Sequence, residues 1–194
     1  MMKWIPALMV ALTLSACGSS SQPSYYQIPL TDSPVNAQLQ NTAGAHPAAI
    51  WVDRVTMPDY LSGNGVVYQT SSVKYVMASS HLWASPLDQQ LKQALVSDLS
   101  AQLPGRVVSA APLGERPDTL SVNVTGFQGR YDGKAVVSGD WILQRGDHIE
   151  RRGFSLVLAQ RADGYDALVK TLGQGWQRVS AQIARHLADS SVNK

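Results

Sequence analysis

Apolar positions in the second half of the chain recur with two different periods. From Thr119 to Phe127, Leu120, Val122 and Val124 alternate with Ser121, Asn123 and Thr125, which predicts a half-buried strand. Tyr131-Asp132-Gly133-Lys134 follows, and its Asp-Gly pair predicts a hairpin turn. Ala135 to Leu143 answers as the returning strand, with Val137, Gly139 and Trp141 on one face. Arg145-Gly146-Asp147 turns again, and Ile149 to Gln160 supplies a further strand around Phe154, Leu156 and Leu158. Together these segments predict an antiparallel meander. The period then lengthens: Tyr165, Leu168, Val169, Leu172, Trp176, Val179, Ile183 and Leu187 recur every three or four residues, the mark of an amphipathic helix. Gly173 and Gly175 weaken its middle by about 1 kcal/mol each relative to alanine. Close packing against the sheet is a reason to keep them.

The first half is more broken. Tyr25 to Leu30 predicts a strand, and Ala49 to Val55 predicts another, whose continuous apolar start suits a central position. Thr31 to Pro47 has little periodicity and predicts a loop. Thr56 to Leu61 predicts a connection, because Pro58 removes a ladder donor. Ser62-Gly63-Asn64-Gly65 predicts a tight turn with Asn-Gly at positive φ. Val66 to Thr70 and Val73 to Met77 are short strands around Ser71-Ser72. Ser85-Pro86 opens a helix along Leu87, Leu91, Ala94, Leu95 and Leu99, with serine as the expected cap and proline in the first turn. Pro104-Gly105 stops it, Arg106 to Ser109 is a brief strand, and Ala110 to Pro117 is a loop.

The start of the chain has a different character. Lys3 precedes a short apolar run, Ile5 to Leu14, which leads into Leu14-Ser15-Ala16-Cys17. This is the layout of a secretory signal ending in a lipobox: residues 1–16 are removed and the Cys17 thiol carries lipid. The alternative is an ordinary signal peptide with Cys17 as a free thiol. About ten apolar residues fall well short of the roughly 20 that span a bilayer, and no later stretch is longer. A chain acylated at Cys17 therefore lies on a membrane rather than crossing it. Gly18 follows, not aspartate, which points to the outer membrane with the body on the periplasmic face; the inner membrane is the alternative. Residues 17–24 form a small, polar, flexible tether, and residues 25–190 form a single globular domain.

Composition narrows the function. The formal net charge of +2 falls to about +1 when Lys3 leaves with the signal, and no basic stripe of the kind nucleic acid requires is present. Cys17 is the only cysteine, so no internal disulfide forms and the fold rests on packing. His46, His81, His148 and His186 are scattered, without metal-ligand spacing. No Gly-x-Ser-x-Gly elbow occurs. Ser62-Gly63-Asn64-Gly65-Val66 lacks the Gly-Lys-Ser/Thr ending of a phosphate loop. Asp132 and Asp140 flank a hairpin and are expected to be solvated. These residues assign no catalytic group, no metal and no cofactor. The tryptophans Trp51, Trp141 and Trp176 are expected in the core. Trp83, placed by sequence in a connection just before a helix, is the exception to watch.

One stretch is more specific. Pro58-Asp59-Tyr60-Leu61-Ser62-Gly63-Asn64-Gly65-Val66-Val67-Tyr68-Gln69-Thr70, then Val73-Lys74-Tyr75-Val76, then Leu82-Trp83-Ala84-Ser85-Pro86-Leu87-Asp88-Gln89-Gln90-Leu91, resembles the paraquat-inducible protein C family within the wider transport-auxiliary lipoproteins. Gly129 to Lys134, Val137-Ser138-Gly139 and Asp163-Gly164-Tyr165 are similar as well. The resemblance implies a single-domain α/β sandwich, a mixed β-sheet with two main helices packed on it. It also implies an outer-membrane lipoprotein that docks a periplasm-spanning partner of the mammalian-cell-entry type in a lipid route between the two membranes. A homo-oligomeric ring would suit such an end-cap. Tyr60, Leu61, Val66 and Trp83, apolar residues in or beside irregular connections, are the expected partner-binding surface; the alternative is that they fold inward. On that expectation Leu61→Asp or Trp83→Asp leaves the fold intact and abolishes binding. Two other readings compete: a carrier holding lipid in its own cavity, and an envelope hydrolase, for which the sequence lacks a nucleophile beside a base.

Overall fold

The computed structural model describes residues 22–30, 49–114 and 117–192. Cys17, the signal segment and the Thr31–Pro47 loop lie outside the described residues.

The longest strand organises the sheet. Strand β6 (Asp118–Arg130) pairs along one edge with β7 (Lys134–Arg145), antiparallel, from Thr119 opposite Gln144 to Arg130 opposite Lys134. Strand β8 (His148–Ala159) continues the meander from Lys134 opposite Ala159 to Arg145 opposite His148. Gly133 and Gly146 sit in the two turns at φ 73° and 55°, a left-handed conformation that glycine adopts without a Cβ clash. The meander predicted from alternation and turn chemistry is present in full.

On its other edge β6 is shared by two strands lying end to end. Strand β2 (Ile50–Thr56) runs parallel to its first half, and β3 (Gly65–Ser71) runs parallel to Gly129 and Arg130 at its far end. Between them the chain leaves the sheet and makes one helical turn, α1 (Asp59–Ser62), where the sequence predicted only a connection. Pro58 starts that turn: it has no N–H to lose, and its carbonyl accepts from the Leu61 amide at 2.9 Å. Strand β4 (Lys74–Trp83) returns antiparallel to β3, β1 (Ser24–Tyr26) joins β4 in parallel, and β5 (Val108–Ser109) joins β2. The result is an eight-stranded mixed sheet with the path β1-β4-β3-β6-β2-β5 and β7-β8 on the second edge of β6.

Three local expectations change. Strand β4 does not end at Met77. It bulges, because the register passes from Val67 opposite Met77 to Gly65 opposite Leu82, so two steps of β3 face five of β4. Three extra residues break the alternation that would have shown the strand continuing. Gly65, for its part, is absent from the positive-φ glycines. It is needed for space, since a Cβ there would strike the Ala78 carbonyl inside the bulge. The third is the cap of α2 (Leu87–Gln102): Ser85 does not cap it, and the first-turn side chain of Gln90 instead donates to the Ser85 carbonyl at 2.9 Å.

Helix α2 and the long helix α3 (Tyr165–Val192) lie side by side over the sheet, α2 on β2 and β5, α3 on β6, β7 and β8. The space between the layers is filled by aromatic rings. Trp176 is fully buried and meets Phe127 and Phe154 edge-on, with ring centroids 6.4 and 6.3 Å apart, while Trp83 meets Phe127 at 6.2 Å. Such pairs are favoured by the ring quadrupole beyond the area they bury. The two helix glycines serve different neighbours. A Cβ on Gly175 would sit 2.7 Å from Val137 of the sheet, as expected, but one on Gly173 would sit 2.8 Å from Pro29 of the N-terminal segment.

Candidate functional site

The described N-terminal segment, residues 22–30, is built into the body. The Ile28 amide donates to Gln90 Oε1 at 2.8 Å, and both residues are buried. An amide side chain deep in a core needs all its polar atoms paired, and Gln90 uses the carbonyl oxygen for β1's continuation and its nitrogen for Ser85. Pro29 then crosses α3 at Gly173. At the start of the segment the Tyr26 hydroxyl lies 3.0 Å from His81 Nδ1, and the His81 ring stacks on Tyr165 at 3.8 Å. Burial pushes the Tyr26 phenol above its ordinary pKa, and the Asp166 carboxylate beside it adds to the rise. Ile28 and Pro29 thereby fix the N-terminal segment to both α2 and α3.

The four residues expected to face a partner divide. Leu61 and Val66 are fully buried and Trp83 is 4% exposed, all within the single hydrophobic core. The burial corrects the expectation that they form an outer surface. The physical reason is that α1 is a helical turn lying against α2 and β3, which takes Leu61 into the core, and Trp83 closes β4 rather than standing in a loop. Only Tyr60 is partly open. Its hydroxyl donates to the Thr125 carbonyl at 2.8 Å, and its ring lies 5.0 Å from that of Tyr75. Thr125 is the bulged residue of β6, between Val124 opposite Gly139 and Gly126 opposite Ser138, so Tyr60 occupies the gap that β2 and β3 leave along that edge. Burial, and then Tyr75, raise the Tyr60 phenol.

Sequence reasoning passed over one cluster of exposed apolar residues. Val73 is 85% exposed, Met77 55%, Val76 45% and Tyr75 39%, all at the outer end of the β3–β4 hairpin. The signal was available: Val73, Tyr75, Val76 and Met77 break the alternation that a half-buried strand keeps, placing apolar groups on both faces beside Lys74.

Several ionisable groups are arranged as pairs near the surface. Arg151 holds Asp140 in a two-pronged contact at 2.9 and 3.0 Å, and Asn123 donates to the same carboxylate. Arg130 and Lys134 flank Asp132, and Arg152 and His186 flank Glu150. Each carboxyl is held below its ordinary range, chiefly by the arginine hydrogen bond. That is opposite to the raised carboxyl a general acid needs at neutral pH. Because the folded pKa is depressed, the stabilisation is complete above the ordinary values of 3.8 and 4.5 for Asp140 and Glu150. It is lost as pH falls through the lower folded values. Denaturant midpoints measured from neutral pH downward are expected to fall in that acid window, and Asp140→Asn to flatten the fall; an unchanged acid limb would refute the pairing. Asp118, near the other end of the sheet, accepts from Arg106 at 2.6 Å and from Arg145 at 3.1 Å and ties β6 to β7. Among the described residues no group of three or more His, Cys, Asp or Glu is placed to hold a metal ion, and no helix is long and apolar enough to cross a membrane.

Comparison with known proteins places this architecture. A family model described as the ABC-type transport auxiliary lipoprotein component matches residues 26–184. The chain belongs to this family. It is 50% identical over 188 residues to the intermembrane transport lipoprotein PqiC of Escherichia coli strain K12, covering 96% of this chain and 98% of that one. The protein of the same name from Shigella flexneri matches equally. A solved structure of an uncharacterized protein is 52% identical, covers 86% of this chain and 99% of its own, and superposes with a TM-score of 0.76. A Xanthomonas campestris protein, 14% identical, shares the fold at a TM-score of 0.62, over 82% of this chain and 92% of its own. The resemblance drawn from Pro58 to Leu91 is thereby borne out, as are the α/β class and the mixed sheet. The curated relatives are named as transport lipoproteins, not as enzymes.

Proposed function

We propose that the protein is the outer-membrane-anchored lipoprotein of a lipid route between the two membranes, held by acyl chains on Cys17 with its body in the periplasm. There it docks the end of a periplasm-spanning partner of the mammalian-cell-entry type, as one copy of a homo-oligomeric ring. The observation that carries this reading is the near full-length identity to relatives named as intermembrane transport lipoproteins. The structure supports docking over the carrier reading, because Trp176, Phe127, Phe154 and Trp83 occupy the space between helices and sheet where a carrier would house its lipid. In this reading Tyr60 is a contact, and Leu61, Val66 and Trp83 hold its corner from beneath.

The anchor has a sharp test. A buried methylene contributes about 0.8 kcal/mol, so two or more acyl chains make attachment effectively lasting while none leaves the body without a hold. Cys17→Ser is expected to remove the protein from the outer-membrane fraction, read by density fractionation. Retention of the variant in the outer membrane would overturn the anchor. Affinity capture of the full chain from detergent extract, followed by sizing, tests the partner: the expected result is one large complex containing a periplasm-spanning protein, and capture of the chain alone would remove the docking role.

A further inference from the structure

The exposed hairpin and the N-terminal end of β1 point the same way. Strand β1 is parallel to β4, with Ser24 opposite His81 and Tyr26 opposite Trp83. Moving backward through β1 from Tyr26 to Ser24 therefore follows β4 backward, toward Lys74 and the β3–β4 turn. Ser24 lies level with the start of β3, since Leu82 faces Gly65. From there to Ser71 the hairpin runs on for roughly 20 Å at the rise of a strand. The seven steps from Cys17 to Ser24 reach at most about 25 Å when fully extended. A bilayer holding lipid on Cys17 is thus within reach of the hairpin end, toward which the N-terminal end of β1 heads.

We infer that Val73, Tyr75, Val76 and Met77, with Tyr131 beside them, seat in the interfacial zone of the bilayer that carries the anchor. This rests on the acylated Cys17 of the proposed function. Three features single out a lipid surface. Adjacent strand residues point to opposite faces, so Tyr75 and Val76 make the hairpin apolar on both sides. A protein strand or groove covers one face or one edge, whereas a lipid surface surrounds what enters it. Then there is the residue mixture: Tyr75 and Lys74 flank the aliphatic groups, and tyrosine and lysine are the residues that sit at headgroup depth. Finally, the neighbouring turn conforms. Gln69 faces Arg130, so the β6–β7 turn lies beside the hairpin, and its Tyr131 is 56% exposed.

The test uses the full lipidated chain in vesicles of phosphatidylethanolamine and phosphatidylglycerol. Val73→Cys places a thiol where the side chain is already in solvent, and with the Cys17 sulfur acylated it is the only group to take an environment-sensitive fluorophore. Asp147→Cys, in the β7–β8 turn at the far end of the meander, is the control. The expected result is a blue shift at position 73 and loss of most of its emission when spin-labelled lipid is added, with neither change at position 147. Unshifted, unquenched emission at 73 overturns the inference. So does a blue shift without quenching that is accompanied by cross-linking at 73 to a second copy or another protein, which assigns the hairpin to that contact. Failure of the anchor is read separately, as two labels per chain and loss of vesicle flotation; that result removes the anchor and this inference with it.

Discussion

A chain carrying Leu61→Asp is expected to lose its fold rather than only its partner. Leu61 is fully buried on α1, which lies against α2 and β3. Removing the leucine side chain alone costs about 2–5 kcal/mol. An aspartate in its place adds a carboxylate with no partner, which enters either charged at a cost of several kcal/mol or neutral after a large pKa rise. Together these approach the whole stability of a domain, about 5–15 kcal/mol. Circular dichroism and a denaturant titration at neutral pH check it: the expected outcome is no cooperative transition, or a midpoint near zero denaturant. A variant that melts like the parent would restore Leu61 to the outer surface. Tyr60→Ala separates the two roles, because its ring is half open and its loss removes one hydrogen bond, worth about 1 kcal/mol, to the Thr125 carbonyl. It is expected to stay folded and to weaken capture of the partner.

The second large effect is at Trp176. Its ring is fully buried between Phe127 and Phe154, and its indole N–H donates to the Leu91 carbonyl at 3.0 Å, joining α3 to α2. Trp176→Ala opens a cavity at the centre of the interlayer packing and is expected to cost about 3–5 kcal/mol. For a domain of this size that lowers Tm by about 10 °C. Trp176→Phe keeps an aromatic ring in the site and loses the hydrogen bond, so a smaller loss of about 1–2 kcal/mol is expected. The order Ala far below Phe, read by thermal and denaturant unfolding, is the check. Equal losses would mean that the α2–α3 hydrogen bond, not ring packing, holds the layers together.

The core location of Leu61 shows where sequence reading stops. An apolar residue beside Pro58 and a Gly-rich run has the same local signature whether its side chain turns inward or outward. The direction is set by the gap between β2 and β3 along β6, and that gap exists only when residues 50–56, 65–71 and 118–130 have met. The exposed hairpin is the mirror case. Val73 to Met77 has the composition of a core strand, yet β3 runs past the end of β6 and leaves most of the hairpin end exposed, with Tyr75 lying against the Tyr60 ring. Gln90 and Ile28 were silent in sequence, because a glutamine on a helix face carries no mark of the buried amide it will accept.

What the amino-acid order settled unaided were the features written in near-neighbour chemistry. The meander follows from alternation closed by Asp-Gly and Arg-Gly turns, and α3 from its three-four repeat. The family follows from the run between Pro58 and Leu91. These need contacts only a few residues apart. Tertiary structure alone decided the parallel joining of β1 to β4 and of β2 and β3 to β6, the bulge that hides the second half of β4, and which apolar residues lie inside. Parallel pairing carries no turn signature, because its partners are joined by long crossovers. Burial belongs to a position in the assembled layers, not to a side chain.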